Sequence, residues 1–407
     1  MRAVLTPVHV WHDIVQALVR PLPARRLALA DAEGCVLARA VQTLHPLPPF
    51  DASAMDGYAV RARDVLAAGP AHPVRLRVIA SAPAGHPVGA VVGAGDAVRI
   101  LTGGQLPAGS DAVVAVESTD GGRDVVQVRE PVGPGRHVRR AGEDLTQGAH
   151  VLEPGRVVGP GQAAAAAAAG HTALLVVPRP RVVIVSTGDE LVAPGQPLAP
   201  GDLPDSNSVG LAAAVRLAGG QATVARCGDD PRLLRRLLAK AAGAADLVVT
   251  SGGISAGEEN DVVKAALSGG SVRFVNVAMQ PGSPQAAGTL DGVAFVGLPG
   301  NPVSALVSFA VFALPLVRTM RGLSPVPPVR RVELAAPVDP HPLKTRFVSA
   351  RWASDGDRRR AVPHLRQGSH LMAALADTDL LLEIAPGTRG YAAGSLVPAR
   401  FLNDTEQ

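Results

Sequence analysis

Residues 293–306 read Val-Ala-Phe-Val-Gly-Leu-Pro-Gly-Asn-Pro-Val-Ser-Ala-Leu. The apolar run Val293–Val296 predicts a buried strand. An apolar helical pattern follows from Ser304 to about Val317. Between them lies a turn of Gly, Pro, Asn and Pro. Asn301 suits an N-cap, and Pro302 has its φ preset for the first helical position. Free backbone N–H groups at such a junction attract an anion. Taken alone, the same residues read better as a tight strand-to-helix turn.

Two other stretches repeat the pattern. Val182–Val185 runs into Ser186-Thr187-Gly188-Asp189-Glu190-Leu191, and Leu247–Val249 into Thr250-Ser251-Gly252-Gly253-Ile254-Ser255-Ala256-Gly257. Three apolar strands, each followed by a small polar loop and a helix-compatible segment, predict a parallel sheet. Its loops gather at the carboxyl edge, where open α/β sheets bind ligands. Gly and Ser let backbone donors approach an oxyanion closely. Glu190 and the acidic run Glu258, Glu259, Asp261 place carboxylates at that edge. Donors beside carboxylates suit a phosphate-bearing ligand with a divalent cation such as Mg²⁺. Helix capping explains any one of these carboxylates singly.

At 407 residues the chain is too long for one compact domain. Hydrophobic residues make up 47% and aromatics only 3%, so small aliphatic side chains must do most of the packing. The N-terminus, with Arg2, Pro7, His9 and Asp13, shows no signal peptide. The Ala163–Ala169 run is too short to span a bilayer, so no membrane insertion is expected. Cys35 and Cys227 give neither a disulfide framework nor zinc spacing, which suits the cytoplasm. Net charge is +4, and the only lysines are Lys240, Lys264 and Lys344. Arginines are scattered except for Arg358-Arg359-Arg360 beside Asp355-Gly356-Asp357, which reads as a solvated hairpin loop. No basic face with interleaved aromatics points to nucleic acid.

Composition shifts divide the chain. Residues 1–46 read as one or two helices, Val8–Leu18 amphipathic and Leu27–Val41 less regular. Residues 47–140 look β-rich, with alternation in Val74–Ile79 and Ala112–Val116. Residues 141–177 return to helix, including the Ala run. Residues 178–325 form the α/β unit, with helices near 208–219 and 231–243 and capping candidates at Asp205-Ser206-Asn207-Ser208. Pro325-Val326-Pro327-Pro328 is a linker or rigid turn, and 329–407 is again β-rich.

Gly297-Leu298-Pro299-Gly300-Asn301-Pro302, Ser186–Leu191 and Ser251–Ser255 together resemble the molybdopterin molybdenumtransferases. This is the MoeA or molybdenum insertase family, which includes the gephyrin E domain. Pro48-Pro49-Phe50-Asp51-Ala52-Ser53-Ala54-Met55-Asp56-Gly57-Tyr58-Ala59-Val60 carries the same resemblance. So do Arg99–Gly104, Gly142-Glu143-Asp144, Gly368–Leu371 and Gly387–Gly394. The resemblance spans the chain in order. It implies a multidomain α/β plus β fold. Residues 1–46 and 141–177 would form a discontinuous helical domain around a β-rich insertion at 47–140. Residues 178–325 would form the central parallel-sheet molybdopterin-binding domain, and 329–407 a C-terminal β-barrel-like domain. It also implies an elongated homodimer with an active-site cleft at the α/β domain, completed by the partner subunit.

The activity implied is insertion of molybdate into adenylylated molybdopterin with release of AMP. Mg²⁺ is the implied cofactor, and molybdopterin adenylyltransferase and other cofactor-pathway proteins are the implied partners. Carried over residue by residue, the motif places Asp56, Thr102, Asp144, Glu190 and Asp261 in catalysis, with Glu190 and Asp261 as candidates for cation binding or water activation. Gly252, Gly253 and Ser255 would supply phosphate donors. Pro299, Gly300, Asn301, Pro302 and Ser304 would shape the ligand loop. Asp56 before Gly57 also reads as a turn former, as does Asp144. Asp229 and Asp230 match a family acidic pair but precede Pro231, which favours a helix cap.

Two departures stand out. Many members carry Lys-Pro-Gly-Lys-Pro where this chain has Gln280-Pro281-Gly282-Ser283-Pro284. Gln280 and Ser283 offer neutral hydrogen bonds in place of charge. An arginine elsewhere, such as Arg273 or Arg351, is a candidate to compensate. The acidic loop Glu258-Glu259-Asn260-Asp261 is one residue longer than usual, which leaves open which of Glu258, Glu259 and Asp261 is the functional acid. The competing function is a dimeric gephyrin-like scaffold binding short peptide tails of other proteins.

Overall fold

The computed structural model describes residues 5–254, 261–326, 329–355, 358–364 and 368–401. The chain divides into two units. One comprises Met1–Arg26, Gly34–Ala38 and Leu175–Gln407, the other Leu27–Glu33 and Arg39–Leu174.

The first unit is built on a six-stranded sheet. Its elements in chain order are β1 Arg181–Thr187, α1 Ser206–Leu217, β2 Gln221–Cys227, α2 Pro231–Ala242, β3 Leu247–Ser251, β4 Arg273–Asn276, β5 Pro284–Leu290 and β6 Val293–Leu298. The strand order is β2-β1-β3-β6-β5-β4. The first four strands are mutually parallel, and β5 pairs antiparallel with both β6 and β4. The three apolar runs are therefore neighbours, and their loops leave the sheet at one edge.

Both faces of the sheet are covered, which is why these strands read as unbroken apolar runs. Val182, Ile184, Leu247, Val249 and Val296 point into one core with Leu211 and Val215 of α1. Val183, Val185, Val248 and Phe295 point into the other with Leu234 and Leu238 of α2. The expected helix after the 297–302 turn is helical over Pro302–Ser308 and Leu314–Met320, with a π turn at Phe309–Ala313 between them. Pro302–Met320 is long and apolar enough to cross a bilayer, yet 78% of its most apolar window is buried. It is apolar all round because it is a core helix, packed against Trp11 and Val15 of the N-terminal helix Val8–Gln16.

Residues 329–401 add strands Arg330–Glu333, Thr345–Asp355, Arg358–Pro363, Leu380–Ile384 and Leu396–Phe401. The end of the first meets the third at a Leu334↔Ala361 bridge, which brings the two edges of this sheet together around Val348, Leu382 and Val397. Arg358–Arg360 begin the return strand of a hairpin, and Arg359 lies over the Trp352 ring at 5.6 Å. Residues 356–357, and Pro327 and Pro328 of the expected linker, lie outside the described residues.

The second unit holds a five-stranded sheet, ordered Ala112–Ala115, Gly57–Val60, Asp96–Ile100, Val74–Ala82, Val125–Val128. The helical expectation for its flanks needs correcting. Leu27–Val41 is not a helix: it contains a 3₁₀ turn at Leu29–Asp31 and short strands at Val36–Leu37 and Val41–Gln42. Gly34, at φ +71°, breaks any helical run there. Of 141–177 only Pro160–Ala168 is α-helical, and Ala173–Val177 is a strand rich in β-branched residues.

Candidate active site

The carboxyl edge of the sheet opens into a cavity of about 1030 Å³ within the first unit. Glu190, Gly252, Gly253, Gln280, Ser283, Pro299, Gly300, Asn301, Pro302 and Ser304, all expected from sequence, line it together.

The glycine loops are packed backbone to backbone. Gly252 takes φ +94°, and a Cβ there would meet the Thr187 carbonyl oxygen at 2.9 Å, so a side chain would both strain the turn and push the loops apart. A Cβ on Gly300 would lie 3.4 Å from the Gly252 Cα. The Gly252 N–H donates to the Leu298 carbonyl at 3.1 Å. Asn301 stands at the N-cap position, but its side chain makes no capping bond. The Val303 N–H, one of the expected anion donors, is taken by the Ser369 carbonyl at 3.0 Å.

The acidic wall is Glu190, Asp205 and Asp229. Glu190 is exposed, and its backbone carbonyl is held by the Leu203 N–H at 2.7 Å. Asp229 and Asp189 grip each other's backbones: the Asp229 N–H donates to Asp189 Oδ1 at 3.0 Å and the Asp189 N–H to Asp229 Oδ2 at 3.4 Å. Asp230 caps α2, accepting from the Arg232 and Leu233 N–H groups at 2.7 and 3.1 Å. The expected cap is thus Asp230 alone, and Asp229 belongs to the cavity. Buried Asp205 caps α1 through the Ser208 N–H at 3.0 Å. Its other oxygen lies 3.4 Å from Arg226 Nε, an ion pair without hydrogen-bond alignment.

The cavity is also lined by basic side chains from the C-terminal region: His341 and Lys344 just before the strand Thr345–Asp355, Arg346 within it, and His370 in a turn. Met279–Gln280 pairs in parallel with Thr345–Asp355, and the register places Arg346 directly opposite Gln280. Directly opposed residues project on the same face of a sheet. Arg346 also donates to the Asp339 carbonyl. His341 Nδ1 accepts from the Leu343 and Lys344 N–H groups at 3.0 and 3.1 Å, which fixes the proton on Nε2. Sequence reasoning missed these residues, because only strand register brings them to the edge. One signal was present: Lys344 is one of three lysines and sits two residues from an arginine. The arginines expected to compensate do not line the cavity. Arg273 is exposed on β4, and Arg351 pairs with Asp377 at 3.6 Å. Ser283 is also otherwise engaged, its hydroxyl donating to the Val277 carbonyl at 2.8 Å.

Asp261 stands at the N-cap position of the short helix Val262–Leu267 and is not among the described residues lining the cavity. Ser255, Glu258 and Glu259 lie outside the described residues. Among the described residues, no group of three or more His, Cys, Asp or Glu side chains gathers as a metal site. Cys227, beside the acidic wall, is no ready nucleophile. Burial pushes its thiol up, and the carboxylates of Asp230, Asp229 and Asp189 push it further.

Asp56, Thr102 and Asp144 belong to the second unit. Asp56 is more than a turn former: its Oδ1 accepts from both the backbone N–H and the hydroxyl of Thr102, at 2.7 and 2.8 Å. Those two donors hold the Asp56 carboxyl below the usual carboxylate range. In a Thr102→Val variant, an NMR titration should find the Asp56 pKa moved up; an unchanged value would show that the hydroxyl contributes nothing. Asp144 is exposed in a turn, its N–H donating to the Leu47 carbonyl at 3.0 Å.

Comparisons with known proteins agree along the whole chain. Residues 6–170 match the family described as MoeA N-terminal region (domain I and II). Residues 183–319 match the probable molybdopterin binding domain, and 331–402 the MoeA C-terminal region (domain IV). The chain is 43% identical over 391 residues to molybdopterin molybdenumtransferase 2 of Mycobacterium tuberculosis, covering 94% of this chain and 96% of the relative. To the molybdopterin molybdenumtransferase of Bacillus subtilis it is 32% identical over 388 residues, covering 93% and 90%. The crystal structure of the molybdopterin biosynthesis MoeA protein from Pyrococcus horikoshii superposes with a TM-score of 0.76 at 30% identity, covering 98% of this chain and 99% of that one.

Proposed function

The chain belongs to the MoeA family of molybdopterin molybdenumtransferases, and from that premise we propose that it inserts molybdate into adenylylated molybdopterin and releases AMP. The observation that carries this reading is the mixed lining of the cavity: glycine loops and carboxylates together with the cations Lys344 and Arg346. A ligand with a phosphate-bearing end fits the loops, where small residues let backbone donors come close. A doubly charged oxyanion such as molybdate is best held by the cations, through charge-assisted hydrogen bonds. Insertion needs both at once, and one cavity offers both. The names of the relatives favour this transferase reading over a scaffold.

In this proposal Glu190 takes the proton of the water that attacks the adenylyl phosphate. Mg²⁺ takes few protein ligands besides substrate phosphates, so the carboxylates of Glu190 and Asp229 fit it, and it would neutralise charge on those phosphates. We further propose a cytoplasmic homodimer, which light scattering of the purified protein tests directly.

The deciding experiment incubates the purified chain with adenylylated molybdopterin, with and without molybdate and Mg²⁺. AMP is followed by chromatography, and active cofactor by reconstitution of an apo-molybdoenzyme. AMP release that depends on both additions, with active cofactor formed, is expected. Molybdate-independent release, or none, would overturn the reading.

A further inference from the structure

Asn207 stands in the first turn of α1 and lines the cavity. The cap of that helix is already supplied by Asp205, so Asn207 is free for other work. Its Nδ2 donates to Ser251 Oγ at 2.8 Å and to the Gly300 carbonyl at 2.6 Å. Ser251 Oγ in turn lies 3.3 Å from the Pro299 carbonyl. One amide therefore bridges the end of β3, where its loop begins, and the loop after β6. Turning the amide over would set Oδ1 against the Gly300 carbonyl oxygen, so the hydrogen bonds fix its orientation. Its Oδ1 is buried with no partner in the described structure, a cost that a clamp imposed by the two donor bonds explains. Besides Asn207 and Ser251, these loops are joined by the Gly252 N–H to Leu298 bond, and their glycines offer no side chains to interlock.

We propose that Asn207 is the positioning residue of the cavity: it holds the 251–253 and 299–301 loops as one continuous wall for the phosphate-bearing end of the ligand. The proposal rests on the reading of the site given above. It acts through the loops, so it bears on binding of the phosphate end and leaves Lys344 and Arg346 alone.

The test uses the full chain with Asn207→Ala and, to keep the side-chain size, Asn207→Asp. Without ligand, hydrogen exchange read by mass spectrometry should speed up in peptides covering 247–253 and 296–304 and nowhere else, while the melting temperature stays within a few degrees. With adenylylated molybdopterin, KM should rise roughly 5- to 30-fold, the worth of one to two neutral hydrogen bonds. The molybdate concentration for half-maximal insertion should stay within about twofold, because no hydrogen bond to those cations is removed. Unchanged exchange in both variants would overturn the proposal, as would KM and the molybdate requirement rising together. If the parent chain turns over no adenylylated molybdopterin, the functional reading fails, and the exchange measurement still decides the role of Asn207.

Discussion

A Glu190→Gln variant is expected to release AMP from adenylylated molybdopterin about 10²- to 10⁴-fold more slowly than the parent chain, the range spanned by loss of a positioned proton acceptor. Its fold should be untouched. Glu190 is exposed, its backbone is fixed by the Leu203 N–H bond at 2.7 Å, and among the described residues its side chain makes no hydrogen bond that the substitution would break. Its carboxylate lies close to the Gly188 backbone and lines the cavity, where the proposed reaction needs a proton acceptor. The measurement is single-turnover AMP release at saturating substrate, beside a thermal melt. A rate within threefold of the parent, with an unchanged melt, would remove Glu190 from the reaction. Asp230→Ala is the matched control. It removes the α2 cap and so costs about 1 kcal/mol of stability, but it should leave the rate alone, because Asp230 does not line the cavity.

How far the sequence carried this reading depended on the range of the interaction. The carboxyl edge was legible because each of its parts is local: an apolar run, a Gly-rich loop, then a helix start. Val293–Val296, the 297–302 turn and the helix beyond it follow that order, and β1 and β3 repeat it. Capping was legible for the same reason, with Asp205 and Asp230 both doing what their position before a helix suggests. Leu27–Val41 misled, because a mixed apolar stretch without helical period can equally be short strands, and long-range pairing decided it. The basic residues of the cavity were the least legible part. Lys344 and Arg346 reach the site only through the pairing of Gln280 with Arg346, a register between segments far apart in the chain. Asn207 looked like one more capping residue in Asp205-Ser206-Asn207-Ser208, and only the approach of the Gly300 carbonyl reveals its other use.

That register gives the lost lysine at Gln280 a physical answer, and it changes what restoring charge should do. Arg346 stands directly opposite Gln280, on the same face and in the same cavity, so a cation is already present where the motif lacks one. Removing it, as Arg346→Gln, should raise the molybdate concentration for half-maximal insertion. A charge-assisted hydrogen bond contributes about 1.5–3 kcal/mol against about 1 for a neutral one, a difference of about 0.5–2 kcal/mol, or roughly 2- to 30-fold. Lys344→Gln should act alike. The double variant should exceed either single one without being strictly additive, because the two side chains share one anion. Gln280→Lys should act in the opposite direction and lower the molybdate requirement by a similar factor, its ammonium joining the Arg346 guanidinium around a doubly negative ion. Ser283→Lys should not help, because it removes the hydroxyl bond to the Val277 carbonyl, and a combined Gln280→Lys/Ser283→Lys variant should gain less than Gln280→Lys alone. The readout is active cofactor formed as a function of molybdate at fixed adenylylated molybdopterin. If Arg346→Gln and Lys344→Gln both fold normally and leave the molybdate requirement unchanged, the anion is held elsewhere and the mixed lining of the cavity loses its meaning. If Gln280→Lys raises the requirement, the pairing with Arg346 is repulsive in the bound state, and the neutral residue is there to relieve it.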